Sequence, residues 1–119
     1  MVFSIISNFF KKNDVDYTEE FKNQQIDLLR KFKRCLLSHQ DTYYTVAANK
    51  VDDCLKDINK VNISILKIAL RINLLSRDIG ALLFDKLIIL DDTENKIWSL
   101  IKELNSKHDN IGPGVGIGL

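Results

Sequence analysis

The chain has 119 residues, enough for one domain with a modest core, and its 17 Lys and Arg against 16 Asp and Glu leave a formal net charge of +1. That balance excludes a dedicated nucleic-acid binder, whose phosphate contacts need a clear basic excess. No apolar run reaches the roughly eighteen residues of a membrane span, because Lys67, Arg71 and Asn73 interrupt the nearest approach. The start lacks a basic segment and a small-residue cleavage site, so no secretory signal is expected.

Before Gly112 there is no proline and Gly80 is the only glycine. With 3.6-type periodicity over that length, little room is left for a sheet, and the chain reads as all-α. Met1 to Lys12 forms a short amphipathic element. Phe3, Ile6, Phe9 and Phe10, followed by Lys11 and Lys12, suit either a lid on the core or a foot in a membrane interface, the lysines meeting anionic headgroups. Asn13 to Asp16 reads as a polar break. A helix follows, with Phe21, Leu28, Leu29, Phe32, Cys35 and Leu36 recurring at three and four, and Arg30, Lys31, Lys33 and Arg34 on a solvated opposite face.

Ser38 to Thr42 is a second break, where Asp41 can cap the turn that follows. His39 and His108 are read as too isolated for a metal site, and no cofactor is expected. Cys35 and Cys54 sit at seam-like positions and read as buried thiols in a reducing compartment.

The stretch from Val51 to Leu90 dominates the chain. Read in sevens, one position carries Val51, Ile58, Ile65, Ile72 and Ile79, and the position three residues on carries Cys54, Val61, Ile68, Leu75 and Leu82. This is the alternation that lays one helix along another. Ile63, Leu66, Leu70, Leu74, Leu83, Phe84 and Leu87 are apolar as well, which predicts burial among three or more helices. As a single helix the stretch would run about 60 Å and form a rod; divided, it would supply a bundle. Asn62 begins an Asn-Ile-Ser sequon read as accidental and mid-helix, and Gly80 reads as a point of close helix approach or a small loss of helix stability. Near Asp91 the register shifts, either as a stutter in a rod or, since Glu94 stands three residues on, as a capping box opening a new helix. Trp98 reads as a core filler. Gly112 to Leu119 reads as a mobile tail.

Lys50-Val51-Asp52-Asp53-Cys54-Leu55-Lys56 and Asp92-Thr93-Glu94-Asn95, with Trp98 after it, resemble segments of the small coiled-coil subunits of the biogenesis of lysosome-related organelles complex one and its lysosome-positioning relative. The resemblance implies a rod-shaped, non-catalytic adaptor subunit on endosomal or lysosomal membranes.

The expected architecture is long amphipathic helices forming a coiled coil or antiparallel helical bundle over residues 13–111, with residues 1–12 and 112–119 as appendages. The expected function is cytoplasmic, non-catalytic association with other helical chains or with itself, through Ile58, Ile65, Ile68, Ile72, Leu75, Ile79 and Leu82. A self-contained bundle of the immunity or viral host-interaction type, and a membrane-remodelling protein footed on its first helix, are the alternatives. No paired carboxylates or nucleophile-base pair at informative spacing suggest an enzyme.

Overall fold

The computed structural model describes the backbone of residues 2–109 and the side chains of residues 17–108. The described residues form four helices and no strand: α1 (Val2–Leu37), α2 (Thr42–Ile58), α3 (Ile65–Phe84) and α4 (Asp92–Asp109). Each junction has a chemical reason. Gln40 takes a left-handed φ of 54° to end the turn after α1. Asp41 then accepts the backbone N–H groups of Tyr43 and Tyr44 and starts α2. Ser64 accepts from Lys67 N to start α3. At the end of α3, Lys86 at φ 59° lets Leu87 N reach back to Leu82 O, the bond that closes a Schellman turn. Asp91 and Glu94 form a reciprocal capping box for α4, with bonds of 2.8 and 3.0 Å.

The helices pack in a ring. Each lies against its neighbour in sequence and α4 returns to α1, which leaves α1 and α3 on a diagonal. The return is antiparallel: Gln25 Nε2 donates to Ile101 O, and Phe32 stacks on Trp98 with ring centroids 5.0 Å apart. Between these helices and α2 and α3 lies one core containing Phe21, Leu29, Phe32, Leu36, Val51, Ile58, Ile72, Leu75, Ile79 and Ile101. Two buried amides fix the alignment of α4. Gln25 meets α4 from α1, and Asn105 Nδ2 donates to Ala69 O and Asn73 Oδ1 of α3. A slip of either pair would cost these amide nitrogens their acceptors, in addition to the buried Gln25 Oε1 and Asn105 Oδ1, which accept no hydrogen bond among the described residues. Outside the core, Lys33 and Lys56 flank Asp52 and hold its carboxyl below the usual carboxylate range, and Arg71 does the same for Asp57. Those contributions are present at neutral pH and fade as acid protonates the two carboxylates.

The fold decides between some of the sequence expectations and corrects others. Val51 to Leu90 is not one helix: it ends at Ile58 and resumes at Ile65, so there is no 60 Å rod. The break needs neither glycine nor proline, because Asn62 adopts a left-handed φ of 63° and Ser64 caps the next helix. Val61, assigned to the seam, is 87 % exposed in that connection, and the sequon at Asn62 lies in a turn rather than mid-helix. Asn13 to Asp16 is not a break, since α1 runs through it and polar residues alone do not stop a helix. Gly80 makes no close approach, having nothing within 4 Å of the place a Cβ would occupy. The expected tail, residues 112–119, lies outside the described residues.

Two substitutions test this packing. Gly80→Ala should stabilise the chain by about 0.5–1 kcal/mol, read as a higher midpoint in a circular-dichroism melt; a loss would mean that the site is crowded. Ile72→Ala should cost about 2–5 kcal/mol in the same melt, and a change below about 1 kcal/mol would contradict its place in the core.

Candidate functional site

The arc of α3 that faces away from the ring exposes three leucines in regular spacing. Its inner side is spent on the core through Ile68, Ala69, Ile72, Leu75 and Ile79. On the outer side Leu66, Leu70 and Leu74 are 44, 52 and 49 % exposed. Spaced by four, they stand one turn apart as a single ridge. Phe84, 86 % exposed, lies about five turns beyond Leu66 at the end of α3, separated from Leu74 by about 15 Å with Arg77 and Asp78 between. The edges of the face are held by Arg71 Nε on Asp57 Oδ2 of α2 at 2.6 Å and by Asn73 on Asn105 of α4. The ridge therefore stands on a braced helix. An apolar ridge on a braced surface is a candidate for an association site.

The residues expected to meet a partner lie elsewhere. Ile58, Ile68, Ile72, Leu75 and Ile79 are buried in the chain's own core, and Ile65 and Leu82 are half-buried against it. The heptad seam is satisfied within the molecule, because dividing it between α2 and α3 folds one half back on the other. Phe3, Ile6, Phe9, Phe10, Lys11 and Lys12 lie outside the residues whose side chains are described. The ridge leucines were legible as surplus apolar residues off the seam. Their assignment to burial fails because α3 has only two close neighbours, α2 and α4.

Two polar clusters compete with the ridge. His39 is not alone: its Nε2 lies 2.7 Å from Glu94 Oε2 and its ring stacks on Tyr44, while Asp91 brings a third ligand-type atom within 4.8 Å of the others. Cys35, one turn before His39, is a neighbour that reading the histidine as isolated overlooks. Both carboxylates are engaged in the capping box, so the cluster serves as a clasp between the α1–α2 turn and α4. The second cluster is an open groove of about 480 Å³ between α1 and α2, lined by Arg30, Lys33, Arg34 and Lys56 around Asp52. Asp52 takes up two of those cations. His108, the other histidine, is buried against Phe21.

Neither cysteine is activated. Burial, with the negative charges of Glu94 and Asp91, holds the Cys35 thiol above its ordinary value, and burial pushes Cys54 up to about 11. No helix among the described residues is long and apolar enough to cross a membrane. Compared with family models, curated proteins and solved structures, the chain has no match.

The thiols give a direct check of the packing. A maleimide at pH 8 should modify the half-buried Cys35 first and reach the buried Cys54 only as fast as the chain opens, read by mass spectrometry over time. Equal rates would contradict the burial of Cys54.

Proposed function

We propose that this chain is a self-contained, non-catalytic helical bundle that acts by association, docking an amphipathic helix of another protein chain on the outer face of α3. The observation that carries the reading is the exposed ridge of Leu66, Leu70 and Leu74. An apolar stripe at i, i+4 and i+8 on a helix matches the anchors of a second helix packed ridge into groove. The wide apolar circumference of α3 suits a helix with one more neighbour than its own chain supplies.

The self-contained form is favoured over a rod-shaped coiled-coil subunit because the heptad isoleucines are covered by the chain's own helices. As a subunit of a larger assembly it would take part as a folded module and not as one strand of a coiled coil. A place among vesicle or lysosome trafficking adaptors, in the cytoplasm, rests on the two short resembling segments alone. In this fold those segments lie on different helices, α2 and α4.

The test uses a photo-crosslinking residue in place of Leu70, with the same residue in place of Arg30 on α1 as reference. Position 70 should give adducts of discrete mass in cells making the chain, and Leu74→Asp should suppress them without changing the circular-dichroism spectrum. The aspartate would bury an unpaired carboxylate in the docked state, yet cost only about 0.5 kcal/mol in the free one. Equal adducts from both positions, or adducts indifferent to Leu74→Asp, would refute the assignment.

A further inference from the structure

The turn between α1 and α2 meets the start of α4 in a side-chain cluster whose negative charge the chain's own lysines and arginines leave unpaired. His39 Nε2, one oxygen of Asp91 and one of Glu94 all lie within 4.8 Å of one another. The set joins an imidazole nitrogen to two carboxylate oxygens, with His39 and Glu94 55 residues apart in the chain. The capping box commits only half of each carboxylate. Asp91 Oδ1 accepts from Glu94 N and Glu94 Oε1 accepts from Asp91 N, while Glu94 Oε2 faces His39 Nε2 at 2.7 Å.

Electrostatics points to a cation independently of this geometry. Glu94 is 1 % exposed, and a buried carboxylate calls for a compensating charge close by. Elsewhere the chain supplies one: Asp27 holds Lys31, Asp52 holds Lys33 and Lys56, and Asp57 holds Arg71. Among the described residues no lysine or arginine pairs with Asp91 or Glu94, and Asp92 adds a further carboxylate to the same turn. The N-terminus of α4 offers a partial positive charge of about half a unit, less than two carboxylates carry. The ligands are also held in place from behind. The His39 ring stacks on Tyr44 with centroids 3.9 Å apart, and the Tyr44 hydroxyl donates to Ile89 O and accepts from Ile89 N, two residues before Asp91. One side chain thus sets both the imidazole and the segment that delivers the carboxylates.

We propose that His39, Asp91 and Glu94 bind a divalent first-row transition metal ion of the zinc type. Imidazole favours such ions over Mg²⁺ and Ca²⁺, and a neutral imidazole with two carboxylates cancels the charge of one divalent ion. Ligand atoms lie about 2.0–2.2 Å from zinc and so roughly 3–4 Å from one another. The cluster meets that span once the contact between His39 and Glu94 opens by about half an ångström. His39 and Asp91 are exposed, so the ion enters from solvent and water completes its coordination. Bound there, it ties the α1–α2 turn to α4. The site uses none of the α3 leucines and stands independently of what they dock.

The experiment is isothermal titration of Zn²⁺ into the purified full chain, with circular-dichroism melts at each metal level. One ion per chain should bind, with a dissociation constant in about the micromolar range. Metal at a hundredfold excess over that constant should raise the melting midpoint by about 10 °C. Asn caps a helix as Asp does, and Gln serves a capping box as Glu does. Asp91→Asn and Glu94→Gln therefore keep the cap and remove a charged ligand. Each of them, like His39→Gln, should weaken Zn²⁺ at least about tenfold with the metal-free helicity retained. His39 and Asp91 are exposed, so their variants carry the test even where Glu94→Gln loosens the fold. Cys35→Ser should leave binding unchanged, because the thiol is not among the three ligand atoms. No binding up to about millimolar Zn²⁺, or binding indifferent to His39→Gln and Asp91→Asn, overturns the proposal and leaves the cluster a hydrogen-bonded clasp. Binding lost with Cys35→Ser overturns this ligand set.

Discussion

The return of α4 onto α1 is the contact on which the rest of this structure depends. Phe32 stacked on Trp98 and Gln25 bonded to Ile101 O join two helices that are far apart in the chain. Without them α1 would have only α2 as a close neighbour, and the apolar side of α4 would have only α3. With them the helices close a ring and the core becomes continuous from Phe21 to Ile101. The buried amides add direction to this apolar drive, because in this alignment of α4 the Gln25 and Asn105 nitrogens donate to the carbonyls of Ile101 and Ala69.

Ring closure also decides which apolar residues are left over. A helix in a four-membered ring has two close neighbours and one diagonal one, so an arc of each helix always faces outward. On α1 that arc is occupied by charges such as Arg30 and Lys31, and on α2 by residues such as Asp53 and Lys56. On α3 Leu66, Leu70 and Leu74 stand there beside the charges of Lys67 and Arg77. The chain thus spends its heptad isoleucines inward and presents a different apolar set outward. The outward apolar set belongs to a folded surface, not to an unfinished coiled coil.

Much of the fold was legible in local chemistry. Asp41 as a helix cap, the Asp91–Glu94 capping box, Trp98 in the core, and the inward set Phe21, Leu29, Phe32 and Leu36 all depend on neighbours a few residues away. The division between α2 and α3 was hidden because the heptad spacing continues in phase across it. A repeat of seven records which residues are apolar, and a turn that preserves the phase leaves no mark on it. The contact between His39 and Glu94 was hidden for another reason: the two stand 55 residues apart, and only ring closure brings the α1–α2 turn to the start of α4.

By itself the amino-acid sequence determined that this protein is helical, that α2 begins after Asp41, that a helix can open at Asp91, and that it has more apolar residues between Ile63 and Leu90 than one seam can use. Those properties follow from the near absence of glycine and proline, from capping side chains and from periodicity, all of which act within one or two turns. Tertiary structure alone decided that the isoleucines of the seam serve the interior and that Leu66, Leu70, Leu74 and Phe84 serve the surface. Inside and outside are assigned by which helices become neighbours, and that follows from the burial the whole ring achieves when α4 closes on α1.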